Sequence, residues 1–305
     1  MDRIDKKILS NLCTNCRVSY ESLARETGLS PNAVKNRVAG LIDTGVVAKF
    51  FVALDREVIG ANDFQAIVVT DGTENIDEFV DIMGRNSMIG HISLLATVGG
   101  GAYLVWGQYI GTEMLHEIGA FLRGLNETLK VEMHPLLTND RGLKFRFKKV
   151  HLKVLKALID APRRLIADIA RESGLSSKTV RRALDEIAEE EAAWFAARPD
   201  LAAGGLVNIN IRIDLDEKKV SMNDMIEWLH NEYPVEFWSP WVSATDSILF
   251  AEFVVDTLYE AEAIAKKIRG LDHVRSTATL VSYSSLKYPY LGEIKLRQML
   301  EKAGI

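Results

Sequence analysis

One segment occurs twice in this chain, at a constant separation of 146 positions and without a gap. The pattern of residues Tyr20–Leu41 returns within Leu165–Ile187, with an Ala-Arg-Glu triplet and a Gly-Leu-Ser triplet in the same register. Leucines upstream, at positions 9 and 12, also recur at the same offset. Self-similarity at a fixed period indicates a duplicated structural unit. The chain is therefore expected to fold as two similar halves.

Each copy is predicted to form two helices joined by a tight turn. In the first copy Gly28 supplies the left-handed conformation that stops a helix, Ser30 caps the next helix, and Pro31 takes that helix's first position. A buried stripe on the second helix is predicted for Val34, Val38, Leu41 and Ile42. These features predict a helix-turn-helix, and the second copy has the same turn chemistry around Gly174.

The outward face of each second helix is polar and cationic, as a DNA-reading surface requires. Ser and Asn reach phosphates or base edges in a major groove, and Arg or Lys reads guanine or neutralises phosphate. The candidate DNA-binding residues are Ser30, Asn32, Lys35, Asn36, Arg37 and the strand residue Lys49 in the first copy, and Ser176, Ser177, Lys178, Arg181 and Arg182 in the second. A hairpin that merely packs is the alternative, which the repetition of the motif disfavours.

Charge distribution supports a nucleic-acid partner although the formal net charge is −5. Residues 1–50 and 141–200 are net positive, whereas residues 51–140 and 201–305 are net acidic. Positive charge therefore falls where the helix-turn-helix motifs need it, and acidic neighbours would orient the molecule on DNA. No apolar run approaches membrane length and the start lacks a signal-peptide pattern, so we expect a cytoplasmic protein without a membrane partner.

The predicted fold class is α+β, with two winged helix-turn-helix domains alternating with two ferredoxin-like domains. Between the motifs, the order of strand and helix patterns is β-α-β-β-α-β, which is typical of a four-stranded antiparallel sheet with helices on one face. The predicted domains are residues 1–50, 51–140, 141–203 and 204–291, followed by a C-terminal helix at 292–305. The basic segment 140–149 is predicted to be a short strand or a stiff connector.

The two cysteines, Cys13 and Cys16, have the spacing C-x-x-C. A metal site within one chain needs four ligands, and no His or further Cys lies nearby in sequence. We expect both to be small core residues, with a site shared between two chains, or a thiol switch, left open. No catalytic constellation, metal site or cofactor is predicted, because Ser, His and Asp occur in no nucleophile context.

The chain resembles the leucine-responsive regulatory protein/AsnC (feast/famine) family of prokaryotic transcription regulators. The residues that carry the resemblance are Ile4-Asp5 with Ile8-Leu9, Arg17-Val18-Ser19, Leu23-Ala24, Gly28-Leu29-Ser30, Val34, Arg37-Val38, Leu41 and Gly45-Val46-Val47. The resemblance covers nearly the whole chain twice, as expected of a tandem form. It implies sequence-specific binding of double-stranded DNA, dimerisation through the sheet domains, and a response to an amino acid or another small metabolite.

The family's effector turn is a Gly-x-x-Asp-aromatic sequence between the two central strands. The first copy lacks the acid, and the second keeps an acid but lacks the glycine and the aromatic residue. By this resemblance the candidate effector-binding residues are Gly99, Gly100, Gly101 and Tyr103 in the first copy and Asp246 in the second. A nucleotide-binding loop is disfavoured at these glycines because a strand, not a helix, is predicted to follow them.

Two other functions remain open at this stage. Sirohaem decarboxylases resemble the same family in fold and use His and Arg near the central strands, where His91 lies here. An effector-binding or protein-interaction module that no longer contacts DNA is the second alternative. If the two halves pair within one chain, we expect two unequal reading heads, with either an asymmetric operator or one head that dominates binding.

Overall fold

The computed structural model describes residues 1–97, 100–138 and 140–305. These residues form two compact units. Unit 1 contains residues 1–61, 140–200 and 289–305, and unit 2 contains residues 62–139 and 201–288. Unit 1 therefore gathers both copies of the helix-turn-helix with the C-terminal segment, and unit 2 gathers both β-α-β-β-α-β segments.

The first helix-turn-helix has helices α1 (Arg3–Thr14), α2 (Tyr20–Thr27) and α3 (Pro31–Asp43). Gly28 ends α2 in the left-handed region, with φ +72°, which confirms the predicted turn. Three members of the predicted stripe, at positions 34, 38 and 41, are buried. Ile42 is instead 42% exposed, because the residue after Leu41 points about 100° away from the stripe on a helix.

The second helix-turn-helix repeats this arrangement with α7 (Lys149–Leu158), α8 (Ile166–Ser173) and α9 (Ser177–Glu189). The residues 140–148 that precede it form no regular helix or strand, so of the two predicted forms the connector is the one observed. Each copy is followed by one strand, β1 (Val47–Leu54) or β6 (Ala193–Pro199), and the two strands pair antiparallel as one ribbon. A short helix, α4 (Arg56–Ile59), follows β1.

Unit 1 has an internal pseudo-two-fold arrangement. The Arg17 guanidinium donates to the carbonyl of Pro162, and the Arg163 guanidinium donates to the carbonyl of Cys16. Arg163 is the repeat equivalent of Arg17, 146 positions later, and Cys16 is the equivalent of Pro162, 146 positions earlier. Each contact is therefore the counterpart of the other, as in an interface between two copies of one subunit. The Cys16 side chain is fully buried in this core, and its amide donates to Phe195 O at 2.7 Å.

The C-terminal helix α12 (Leu291–Lys302) also belongs to unit 1. Leu296 and Leu300 on this helix are buried in the hydrophobic core of the second helix-turn-helix. The guanidinium of Arg198 on β6 pairs with Glu293 on α12, and both side chains are largely buried. The helix therefore anchors the ribbon that the two helix-turn-helix copies share.

Unit 2 contains one eight-stranded antiparallel sheet in the order β5-β2-β4-β3-β10-β7-β9-β8. The strands are β2 (Asn62–Thr70), β3 (Ile89–Leu95), β4 (Ala102–Tyr109), β5 (Thr128–Pro135), β7 (Val207–Leu215), β8 (Phe237–Val242), β9 (Ile248–Val255) and β10 (Val274–Lys287). Helices α5 (Ile76–Gly84), α6 (Gly111–Arg123), α10 (Met222–Glu232) and α11 (Leu258–Arg269) lie between them. Each set of four strands has the ferredoxin-like order, and β3 pairs with β10 to join the two sets.

The helix-free face of this sheet closes on itself. The far edges approach each other, since Leu137 N donates to Val242 O at 2.8 Å and Ala244 N donates to Pro135 O at 2.7 Å. Side chains from the two halves also meet on this face. The rings of Trp106 and Trp241 lie 6.0 Å apart. We call this surface the inner face of the sheet.

The inner face is polar, whereas the helix-covered face is apolar. Along β2 the side chains of Phe64, Ala66 and Val68 enter the hydrophobic core under the helices. The alternate residues Asp63 and Gln65 point to the inner face, as the period of two in a strand requires. Polar residues alternate with isoleucines in the same way along β7.

Candidate nucleic-acid interface

The recognition helix α3 is held in place by its own cap. Ser30 Oγ accepts a hydrogen bond from Ala33 N at 3.2 Å, so this hydroxyl oxygen has a structural role at the helix start. Asn32, Lys35 and Asn36 are exposed along the following turn. In the described part of the chain Lys35 has no ion-pair partner, which leaves its ammonium group available for a phosphate or a base.

Arg37 is not on the open part of this face. Its guanidinium pairs with Asp2 Oδ2 at 2.7 Å and with Asp5 Oδ1 at 2.8 Å, and the side chain is 32% exposed. These bonds raise the pKa of Arg37, with the hydrogen bond to Asp5 as the largest contribution. The structure thus places Arg37 as a link between α1 and α3, held by two aspartates that the sequence pattern did not indicate.

The second recognition helix, α9, is capped in the same manner. Ser176 Oγ accepts from Thr179 N at 3.1 Å. Ser177, Lys178 and Arg181 are exposed, and neither cation has an ion-pair partner among the described residues. Three of the five predicted side chains of this copy therefore lie on one open face, and a fourth, Ser176, supplies the cap.

Arg182 is exposed but is bound along its own helix. Its Nε donates to Glu186 Oε1 at 2.9 Å, and the other oxygen of Glu186 contacts His151 Nε2 at 2.9 Å. Hydrogen bonds from His151, Lys148 and Arg182, in that order, lower the pKa of Glu186 to about 2. The residue equivalent to Arg37 is the buried Ala183. The two reading faces therefore differ in the number and position of their open cations.

The end of α9 is acidic and lies against the connector. Glu189, Glu190 and Glu191 line an open cleft of about 830 Å³ together with residues 141–146. Arg141 pairs with Glu191 in this cleft and donates to Glu57 Oε1 at 2.8 Å. Part of the acidic cluster is thus neutralised by the connector.

Lys49 lies apart from the recognition helices, on the ribbon strand β1. It is opposite Arg198 in the register of the ribbon, and its side chain is exposed. Partial burial of the ammonium group, followed by the charge of Arg198, lowers the pKa of Lys49. Any phosphate contact at Lys49 would therefore be made by the shared ribbon.

The first candidate effector turn is packed against its own domain. Gly99 lies outside the described residues. Gly100 has φ +90°, and Gly101 N donates to Thr70 Oγ1 at 3.0 Å. A side chain at Gly101 would collide with Glu74. Tyr103 is only 2% exposed and its hydroxyl donates to Glu74 Oε1 at 2.7 Å, so the aromatic ring belongs to the core of the domain.

Asp246 lies in the turn between β8 and β9 and is about half exposed. Its Oδ2 accepts from Thr245 Oγ1 at 2.8 Å and lies 3.6 Å from Nδ1 of the buried His134. His91 on β3 lies on the inner face, with Nε2 3.2 Å from Ser93 Oγ. The predicted effector residues Tyr103 and Asp246 are thus in different settings, one in a core and one in a turn.

Within the residues described, no group of three or more His, Cys, Asp and Glu side chains is arranged to hold a metal ion. Cys13 and Cys16 form no disulfide within the described residues, and burial raises the pKa of Cys16 to about 11. Over the same residues, no helix is long and apolar enough to cross a membrane.

The whole chain has the same fold as the sirohaem decarboxylase NirDL. The two structures superpose over 100% of both chains with a TM-score of 0.59, at 12% sequence identity. The superposition establishes a shared fold. At so low a sequence identity it does not establish a shared function.

Two segments match families of DNA-binding domains. Residues 1–42 match the AsnC-type helix-turn-helix domain, and residues 147–190 match the winged helix-turn-helix DNA-binding family. These are the two copies of the repeat, and both matches fall within unit 1.

Proteins that are similar in sequence to part of this chain include transcriptional regulators. The regulator Ptr1 of Methanocaldococcus jannaschii is 38% identical over 60 residues, which is 20% of this chain and 40% of Ptr1. LysM of Sulfurisphaera tokodaii is 38% identical over 69 residues, which is 23% of this chain and 46% of LysM. The matched parts are thus less than half of either relative's length. Both copies of the repeat thus match helix-turn-helix families, in agreement with the resemblance to a tandem-duplicated form of the leucine-responsive regulatory protein/AsnC family that the sequence indicates.

Proposed function

We propose that this protein is a sequence-specific transcription regulator that binds double-stranded DNA through two helix-turn-helix reading heads. The observation that carries the proposal is the pair of capped recognition helices, α3 and α9, whose exposed faces present Lys35, Lys178 and Arg181 without ion-pair partners in the described chain. Cations that are free of protein partners can neutralise phosphates at little cost, and each such contact releases condensed counterions.

The two heads are expected to read unequal half-sites. The first presents Asn32 and Asn36, whose amides suit adenine, beside one free lysine. The second presents two free cations, of which Arg181 suits guanine. Because the pseudo-two-fold contacts at Arg17 and Arg163 join the heads within one chain, an asymmetric operator follows.

We further propose that the ferredoxin-like domains bind a small metabolite such as an amino acid, that the chain assembles as a homo-oligomer, and that it acts in the cytoplasm. The closed inner face of unit 2, with buried polar side chains, supports a ligand site there. The regulators Ptr1 and LysM support the regulatory role.

The test is selection of genomic duplex fragments by the purified chain, followed by fluorescence anisotropy of the retained fragments at several salt concentrations. We expect an enriched motif and a binding constant that falls with salt. Lys35→Ala should weaken binding and reduce the salt slope by about one unit.

Lys266→Ala is the matched control, since Lys266 is an exposed lysine on α11 of unit 2 with no ion-pair partner among the described residues. It removes the same charge from the same residue type and should leave binding nearly unchanged. Absence of an enriched motif, or equal effects of the two variants, would refute the proposal.

An enzyme of the sirohaem decarboxylase type is the second candidate, favoured by the full-length similarity in fold to NirDL. His91 on the inner face of the sheet is the residue that would serve it. A titration with sirohaem, followed by visible absorption, separates the two. A shifted spectrum that is lost in His91→Ala supports the enzyme, whereas an unchanged spectrum together with motif-specific DNA binding supports the regulator. If neither DNA nor sirohaem binds, a protein-interaction module remains.

A further inference from the structure

We propose that the inner face of the eight-stranded sheet binds a small organic ammonium ion. The regulatory role of this ligand rests on the metabolite response proposed above. The binding itself does not, because it is measured on the protein without DNA. The site is built from Gln65, Gln108, Asn210 and Glu252 on the inner face, together with the rings of Trp106 and Trp241. It does not include the glycine turn or Asp246.

The first observation is a set of buried amide groups without partners. Gln65 is 2% exposed, and neither its Oε1 nor its Nε2 has a hydrogen-bond partner in the described chain. Asn210 is 6% exposed, and its Oδ1 also lacks a partner there. A buried polar atom left unpaired costs roughly 1–3 kcal/mol, so such atoms in a native fold call for an occupant.

Three of the buried atoms on this face are carbonyl oxygens that accept no hydrogen bond in the described chain. Gln108 Nε2 donates to Asp63 Oδ1 at 3.1 Å, which fixes the orientation of the amide. Its carbonyl oxygen Oε1, which can only accept, is buried without a hydrogen-bond partner in the described chain. With the carbonyls of Gln65 and Asn210 this gives three acceptors, and the same face carries three N–H donors, Gln65 Nε2, Trp106 Nε1 and Arg212 Nε. A ligand that satisfies the three carbonyl oxygens must bring N–H donors of its own.

The charges on the same face point in the same direction. Arg212 is neutralised by Glu132 at 2.9 Å and by Asp214 at 3.5 Å. Glu252 lies directly opposite Asn210 in the strand register, and its Oε1 accepts only from the neutral amide of Asn208, at 2.9 Å. Within the described residues Glu252 has no cationic partner, so an ammonium ion would meet an uncompensated carboxylate.

The two sides of the site are joined by aromatic rings. Trp106 lies directly opposite Gln65 in the register, and its ring contacts that of Trp241 from the other half, at 6.0 Å and an angle of 53°. Trp241 pairs with Phe250, two residues before Glu252 on β9. Tryptophan faces attract ammonium ions, and carbonyl oxygens with a carboxylate complete the usual surroundings of such an ion.

The experiment is isothermal titration of the purified full chain with ethanolamine at neutral pH, where it is an ammonium ion, with tryptophan fluorescence as a second readout. Ethylene glycol is the neutral probe of similar size, glycine the zwitterionic probe and propionate the anionic probe. We expect saturable binding of ethanolamine that is at least about tenfold tighter than that of each other probe, as for one charge-assisted hydrogen bond.

Variants connect the binding to the site. Glu252→Gln keeps the shape and removes the charge, and should weaken ethanolamine binding about tenfold or more. Gln65→Leu should also abolish most of the binding while raising the thermal midpoint of unfolding, because it replaces an unpaired buried amide with an apolar group. Gln298→Leu, on the exposed surface of α12, is the control and should change neither.

No binding of ethanolamine, equal binding of ethylene glycol, or tighter binding of glycine or propionate would overturn the proposal. So would unchanged ethanolamine binding in both Gln65→Leu and Glu252→Gln. In any of these cases the unpaired amides are served by water, and the proposed DNA binding is unaffected.

Discussion

The buried ion pair between Arg198 and Glu293 gives the sharpest stability prediction. The side chains are 3% and 12% exposed, and Arg198 Nε and Nη1 have no hydrogen-bond partner in the described chain. Glu293→Gln retains the shape of the side chain and its contact with Tyr290 N, but removes the charge that compensates the guanidinium. The cation of Arg198 would then remain buried without a counter-charge.

The expected cost follows from two opposing terms. Breaking one partner of a buried pair costs about 3–5 kcal/mol. The rings of Phe51 and Tyr290 lie 4.6 Å and 4.3 Å from the guanidinium carbon, and each recovers roughly 1 kcal/mol through cation–π attraction. We therefore expect unit 1 to lose about 2 kcal/mol of its free energy of unfolding.

Hydrogen exchange measured across urea concentrations, on peptides containing β1 and β6, reads the free energy of opening of this unit. Arg198→Met combined with Glu293→Gln should recover at least half of the loss, since replacing both partners of a buried pair with apolar or neutral groups is nearly neutral. A loss below about 1 kcal/mol in the single variant, or no recovery in the double variant, would refute the account of this ion pair.

Three further predictions concern the helix-turn-helix unit. Gly28→Ala should destabilise it by about 1 kcal/mol because φ is +72° there, whereas Gly40→Ala, inside α3 with open space around it, should stabilise it by roughly 0.5–1 kcal/mol in urea unfolding. Arg17→Ala and Arg163→Ala should each cost about 1–3 kcal/mol, and clearly unequal losses would contradict the pseudo-two-fold contacts. Hydrogen bonding to a guanidinium lowers the pKa of Glu57 from 4.5 to about 2, so its contribution to stability is complete above pH 4.5 and is lost as the pH falls toward 2. Acid titration of unfolding should be shallower in Glu57→Gln than in the wild-type chain.

Local chemistry made the helix-turn-helix predictable from sequence. The turn at Gly28 and the caps at Ser30 and Ser176 are decided by neighbouring residues, so their positions follow from the text of the chain. The order of strands and helices in the ferredoxin-like halves could also be predicted from local sequence patterns. Periodicity over a few residues is sufficient for both.

Long-range pairing was not predictable in the same way. The strands that follow the two helix-turn-helix copies, β1 and β6, pair with each other, with Phe51 opposite Ala196, and the sequence did not predict this pairing. The link from Arg37 to Asp2 and Asp5 joins helices more than thirty residues apart. The spacing of these residues in the sequence does not specify such contacts. The hydrophobic patterns of the strands and of the helices are each compatible with several tertiary arrangements.

The polar inner face of the sheet could be predicted from the sequence only in part. Alternation of Asp63 and Gln65 with Phe64 and Ala66 is visible in the sequence and fits a strand with one polar face. Such a pattern ordinarily indicates a face exposed to water. Burial of Gln65 arises only because the sheet closes on itself, which depends on the pairing of β3 with β10.

The most direct test of the central claim is a hydroxyl-radical footprint of the full chain on its selected operator, compared with those of Lys35→Ala and Arg181→Ala. We predict that the wild-type chain protects two adjacent half-sites of different sequence. Lys35→Ala should reduce protection of one half-site, and Arg181→Ala should reduce protection of the other. Loss of the same protection in both variants, or protection that neither changes, would contradict the claim that one chain carries two unequal DNA-reading heads.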